Sequence, residues 1–270
     1  MRVDVLGWVD VQSDTGVRIE LPGEKPRLLL ALLACRANQK NCVETVVDAL
    51  WGFRPPKSAI ANIQTYVCRI RRALDAASPG ARARLSYRSG GYGLELDSTE
   101  SDIQEIQTLV PGASGPGGEV DRAPSLATLR RACARWRGKP FSTLAVSRSS
   151  LVAGELQRCE ELYLQVCEEY AATALSHGRP GDAVPVLRRL AAEFPIRERL
   201  YAVAIRCLAA AGDPGAALGL YEQARSTLAR ELGAEPGPEL QALYQELLHC
   251  ATPTSAGRPR GVRSWSVADV

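Results

Sequence analysis

The sequence predicts a mainly α-helical chain with its strands confined to the first hundred residues: an α+β module followed by an all-α region. Three observations carry this. Short alternating apolar runs bounded by Gly, Asp and Ser occur only before residue 97. Beyond a Gly- and Pro-rich stretch, nearly every segment follows the three-to-four-residue apolar spacing of helices. Aromatics make up only 6% of the chain while Ala and Leu are abundant, a bias toward helix formers. At 46% hydrophobic and 23% charged, the 270 residues belong to a packed protein of one or two domains rather than a disordered one.

The elements follow in order. "VDVLGWV" (3–9) and "VRIEL" (17–21) read as strands around the turn "QSDTG". Pro26 suits a first helical turn, and "RLLLALLACRA" is apolar nearly all round, which predicts a buried helix. "NCVETVVDALWG" predicts a short helix with Asn41 as cap, Glu44 three residues on, and Gly52 as stop. Pro55 and Pro56 block its continuation. Ser58 then caps a third helix reaching about Ala76. After the turn "SPGARA", "RLSYRS" and "YGLEL" alternate around Gly90 and Gly91, a β-hairpin with both glycines free to take positive φ. Tyr92 is expected to pack inward. Strands, three helices and a hairpin make a winged helix-turn-helix over residues 1–97, with the third helix for the major groove and the hairpin beside it.

Residues 98–252 are expected to form a separate all-α domain after the linker "VPGASGPGG". "ALSHGRPGDAVPVL" (174–187) aligns with "LAAAGDPGAALGLY" (208–221) at an offset of 34, matching Gly178 to Gly212, Pro180 to Pro214, Gly181 to Gly215 and Ala183 to Ala217. That period and those small residues mark tetratricopeptide-like helix pairs. Flanking helices at 124–137, 150–170 and 238–250 are expected to cap the array. The tail 253–270 has no periodicity and reads as disordered.

Charge is unevenly placed. Residues 1–97 hold 14 Lys and Arg against 10 Asp and Glu, whereas 98–252 hold 16 against 19. Between 54 and 88 eight basic residues face a single acid, Asp75. Such a patch is the footprint of a polyanion; its alternative is a solvated basic face. In the third helix, Ile63, Val67, Ile70 and Leu74 form one stripe at about 100° per residue. The opposite face carries Ser58, Ala61, Thr65, Cys68, Arg69 and Arg72, with Asn62 beside it. Small residues there permit close approach to base edges, arginine reads guanine through two donors, and Asn or Thr reads other edges. Arg71 lies on a flank and is assigned to phosphate; Arg82, Arg84 and Arg88, in or beside the hairpin, are assigned to phosphate or the minor groove. Lys57 and Ser58 open the helix, where a phosphate can bind. One winged helix covers a short site, so two protomers head to tail on a direct repeat are expected.

Other classes find less support. The eight cysteines form no C-x-x-C pair or zinc-finger spacing and read mostly as small core residues, Cys68 excepted. Glu160–Glu161 and Glu168–Glu169 are adjacent pairs that point about 100° apart on a helix, with no His nearby. No catalytic constellation, cofactor or metal is therefore expected. No run of about 18 apolar residues occurs and the start carries acids, so neither a membrane span nor a signal peptide is expected, and the chain is placed in the cytoplasm at the nucleoid.

"VVDALWGFRPPKSAIANIQTYVCRIRRAL" followed by "GGYGLEL" closely resembles the N-terminal, OmpR-type domain of the Streptomyces antibiotic regulatory protein family. "RWRGKPF" and the run from "PIRERLY" to "LQALYQELL" resemble its bacterial transcriptional activator domain. Together these cover nearly all of residues 1–250. The resemblance implies a transcriptional activator of an antibiotic or other secondary-metabolite gene cluster that binds direct repeats near the −35 region and contacts RNA polymerase. It also implies that the loop between the second and third helices faces polymerase, making Phe53 and Arg54 candidate contacts; Trp51 beside them, like Trp136, reads as packing. Two features depart from the family: a Gly-rich 111–123 and Cys68 where serine is common. No G-x-x-x-x-G-K-[ST] occurs, so the ATPase domain of larger relatives is not expected. The competing class is a tetratricopeptide-type scaffold whose basic N-terminal module binds protein.

Overall fold

The computed structural model describes residues 1–110, 124–142, 144 and 149–251. The expected linker (110–118) lies outside the described residues from 111 on, and the tail 253–270 lies outside them entirely. The chain divides into two compact units, residues 1–166 and 167–270.

The first unit opens with β1 (Arg2–Asp4) and β2 (Asp10–Gln12), an antiparallel pair in which Val3 faces Val11. The expected strand at 3–9 is thus broken. Gly7 takes φ 122°, and the amides of Val5 and Leu6 donate to the carboxylate of Asp102 at 2.8–3.0 Å instead of to a neighbouring strand. A backbone whose donors are satisfied by a side chain cannot extend a ladder. The second expected strand, 17–21, is reduced to a bridge between Gln12 and Arg18.

α1 (Glu24–Cys35) is buried on all sides from Leu28 to Cys35, as its apolar run requires. α2 (Val43–Trp51) ends at Gly52, which takes φ 59° and donates to Asp48 O. Asn41 is not its cap. It lies in β3 (Asn41–Cys42), buried, with its side-chain amide toward Gln39 O and Tyr92 O, and Cys42 holds the cap position. α3 (Ala59–Ala77) leads through a 3-10 turn (Ala81–Arg84) into β4 (Leu85–Arg88) and β5 (Gly91–Leu94). The sheet order is β3-β5-β4, all antiparallel. Positive φ at the hairpin tip falls on Ser89 and Gly90 rather than on the two glycines. Tyr92 is buried.

α4 (Asp102–Gln107), α5 (Leu126–Cys133) and the first part of α6 (Ser150–Ser176) complete this unit. The "RWRGKPF" segment lies along the β1–β2 turn: Arg137 N donates to Leu6 O and Ser142 N to Gly7 O. Trp136 is buried and stacks on Tyr163 at 4.4 Å, the packing role expected for it. Glu155 of α6 receives Arg36 at 3.0 Å and Arg158 at 2.9 Å, and Arg158 also donates to Cys35 O. Cys35 and Cys159 meet at 3.7 Å in the core. That contact, followed by burial, pushes the Cys35 thiol pKa well up.

The second unit holds the end of α6, then α7 (Val184–Glu193), α8 (Glu198–Ala210), α9 (Pro214–Leu232) and α10 (Pro238–Ala251). The repeat is visible at the turns: Gly178 and Gly212 both take positive φ after a helix end. The copies then diverge, since Pro214 starts α9 whereas Pro180 starts a 3-10 turn and α7 begins only at Val184. Glu198 accepts the Gly237 amide at 2.6 Å, and Arg199 pairs with Glu168 at 2.9 Å.

Candidate nucleic-acid interface

α3 is placed by its apolar stripe. Ala59, Ile63, Val67, Ile70 and Leu74 are buried, and the helix packs on α1 and α2. It starts where Pro55 and Pro56 have forced a turn, with Ala59 N donating to Pro56 O. Ser58 occupies the cap position, but its side chain caps nothing; its Oγ accepts from Asn62 Nδ2 at 3.2 Å. Thr65 likewise turns back, donating its hydroxyl to Ala61 O at 3.0 Å. Ser58 keeps its O–H to donate and Thr65 Oγ1 keeps its lone pairs to accept, so each can meet another partner without releasing its local bond.

Away from the stripe, Cys68, Arg69 and Arg72 are exposed. Neither the Arg69 nor the Arg72 side chain makes a hydrogen bond or ion pair among the described residues; the same holds for the side chains of Arg54, Lys57 and Arg82, all exposed. A guanidinium without an internal partner keeps its forked donors for an outside acceptor, which must be anionic or rich in lone pairs. Arg69 and Arg72 stand three residues apart, on neighbouring positions of the helix surface.

Two arginines assigned to phosphate or the minor groove are engaged internally instead. Arg71 is half-buried and donates from Nε at 2.9 Å and Nη2 at 2.7 Å to Leu85 O. Its flank position turns it to β4, whose first carbonyl stands free at the sheet edge. Arg84 pairs with Glu100, which also accepts the Asp97 amide. Arg88 remains exposed beside the hairpin tip, with Glu95 at 4.0 Å. In the α2–α3 loop Phe53 is 90% exposed, and Arg54 beside it is exposed too. Trp51 is half-buried, stacked with Tyr66 and covered by Lys25.

Sequence reasoning passed over Lys40. Its methylenes lie across Gly91: a Cβ built there would come within 2.9 Å of Lys40 Cγ and 2.7 Å of Asn41 O. Gly91 is therefore required for this crossing, and Lys40 is an exposed cation at the foot of the hairpin. Only the glycine inside a strand pattern pointed to it.

The described residues contain no group of three or more His, Cys, Asp or Glu able to hold a metal, and no helix long and apolar enough to cross a membrane. The candidate interface is a cation-bearing helix beside a hairpin.

The bacterial transcriptional activator domain family matches residues 101–248. The regulatory protein DnrI of Streptomyces peucetius is 33% identical over 99% of both chains. The regulatory protein AfsR of Streptomyces coelicolor is 34% identical over 92% of this chain, which spans only 24% of AfsR. Among solved structures, Mycobacterium tuberculosis EmbR in complex with a low affinity phosphopeptide superposes with a TM-score of 0.72 at 27% identity, covering 92% of this chain and 65% of that one. The chain belongs to the Streptomyces antibiotic regulatory protein family of transcriptional regulators, with a winged helix-turn-helix followed by a helical bacterial transcriptional activator domain.

Proposed function

We propose that the protein is a sequence-specific activator of an antibiotic or other secondary-metabolite gene cluster, acting on double-stranded DNA. Residues 1–97 bind DNA and residues 98–252 carry the activator function. The observation that carries this reading is the pair Arg69 and Arg72, exposed and without internal partners on the face of α3 opposite its buried stripe. α3 enters the major groove. Arg69 and Arg72 read base edges there, each bidentate contact with guanine being worth about 1–3 kcal/mol. Asn62, Thr65 and Cys68 line the same face, and Lys57, Ser58, Arg82 and Arg88 meet the backbone.

Two protomers bind a direct repeat head to tail near the −35 region and recruit RNA polymerase, with Phe53 and Arg54 as polymerase contacts. Exposure of an aromatic ring next to an unpaired cation supports that last assignment. The test is genome-wide mapping of binding sites followed by footprinting on the strongest promoter. The expected result is a repeated protected element that the R69A/R72A variant does not protect. Equal protection by the variant would overturn the assignment of α3.

A further inference from the structure

We infer that Arg71 is a positioning residue that registers the wing against the recognition helix, so that the two DNA-contacting elements act as one. The inference rests on the DNA-binding reading above and assigns Arg71 a role other than phosphate contact.

Both bonds from Arg71 converge on one atom, Leu85 O, at 2.9 and 2.7 Å. Leu85 is the first residue of β4, and its side chain is buried. It is also fixed from the other side, because it pairs with Leu94 of β5. The hairpin tip follows three residues later at Arg88, about 10 Å along the strand. The bridge from the middle of α3 thus holds the root of the strand whose far end carries Arg88, Ser89 and Gly90.

A charge-assisted pair of bonds on one carbonyl fixes direction as well as distance. Without it, β4 keeps its ladder to β5 and β5 its pairing with β3, but the root of β4 loses its side-chain hydrogen bonds to α3. Arg71 is only half-buried and is not among the residues that form the apolar stripe, so its removal need not unfold the helix.

The experiment is a double-mutant cycle on promoter affinity in the full chain, combining Arg71→Met with Arg88→Ala, and with Arg71→Lys as the conservative variant. Arg88→Ala alone is expected to weaken binding roughly fivefold. In the Arg71→Met background the same change should cost less than about twofold, because the wing is no longer held in place. Arg71→Lys, with a single donor head, should recover part of the coupling. A thermal melt checks that each variant is folded; a variant that merely loosens the fold does not produce non-additivity specific to Arg88.

A second readout separates the alternatives. In the Arg88→Ala background, Arg71→Met should leave the salt slope of binding unchanged. A fall in slope of about 0.9 would instead mark Arg71 as a phosphate contact in its own right. Multiplicative effects of the two substitutions, or wild-type affinity in Arg71→Met, would overturn the inference. If Arg69→Ala/Arg72→Ala also left binding unchanged, it is the DNA-binding reading that fails.

Discussion

Lowering the pH should stabilise the protein relative to an Asp102→Asn variant. Asp102 opens α4 with 1% of its surface exposed and accepts the amides of Val5, Leu6 and Ile103. Burial first, and the neighbouring Asp4 charge second, push its carboxyl from 3.8 up to about 6; the Leu6 and Val5 amides and Arg137, at 3.6 Å, oppose the rise. A folded-state value above the unfolded one means that folding favours the protonated form. The stabilisation is fully present below about pH 4 and is lost as pH rises through about 6.

The gap between 3.8 and about 6, at about 1.4 kcal/mol per pH unit, corresponds to about 3 kcal/mol. Denaturant unfolding of both proteins between about pH 7.5 and about pH 4.5 measures it. The wild type should gain about 2–3 kcal/mol on the variant as the pH falls across that window. Asn keeps one carbonyl acceptor and turns an NH2 toward the backbone donors, which offsets the two curves by a constant. Only their changing separation matters, and parallel curves would refute the reasoning.

Gly7→Ala should cost at least about 2 kcal/mol in denaturant unfolding, because φ is 122° and the added Cβ would meet Arg137 Cβ at 2.8 Å. Glu155→Ala should cost about 2–3 kcal/mol by leaving Arg36 and Arg158 without their shared carboxylate, whereas Glu222→Ala, which breaks an exposed pair with Arg225, should stay within about 0.5 kcal/mol in the same assay. Under a bulky thiol reagent, peptide mapping should find Cys42 and Cys68 modified first and Cys35, Cys133, Cys159, Cys167 and Cys207 protected until unfolding.

What could be read in advance depended on how local its cause is. The stripe of α3, the enclosed α1, the stop at Gly52 and the hairpin follow from spacing and backbone preference within a few residues, and the structure carries all four. The broken first strand did not, because the carboxylate that takes the amides of Val5 and Leu6 lies some hundred residues on. Asn41 looked like a cap because cap and strand residue share the same short polar chemistry; pairing with β5 decides between them. At the candidate site a helical projection separates buried from exposed. It says nothing of which exposed arginines find an acceptor on another element. Arg71 and Arg84 do, on Leu85 O and Glu100, while Arg69 and Arg72 do not. Lys40 escaped notice because its position is set by a glycine across the sheet.

Promoter affinity measured over a salt series for the wild type and for Arg69→Ala/Arg72→Ala tests whether free guanidinium groups on α3 read a DNA duplex. The wild type should bind tightly and in a salt-sensitive way, and the folded variant should bind the promoter no better than unrelated DNA. Equal affinity and equal preference for the promoter in the two proteins would contradict this role for α3.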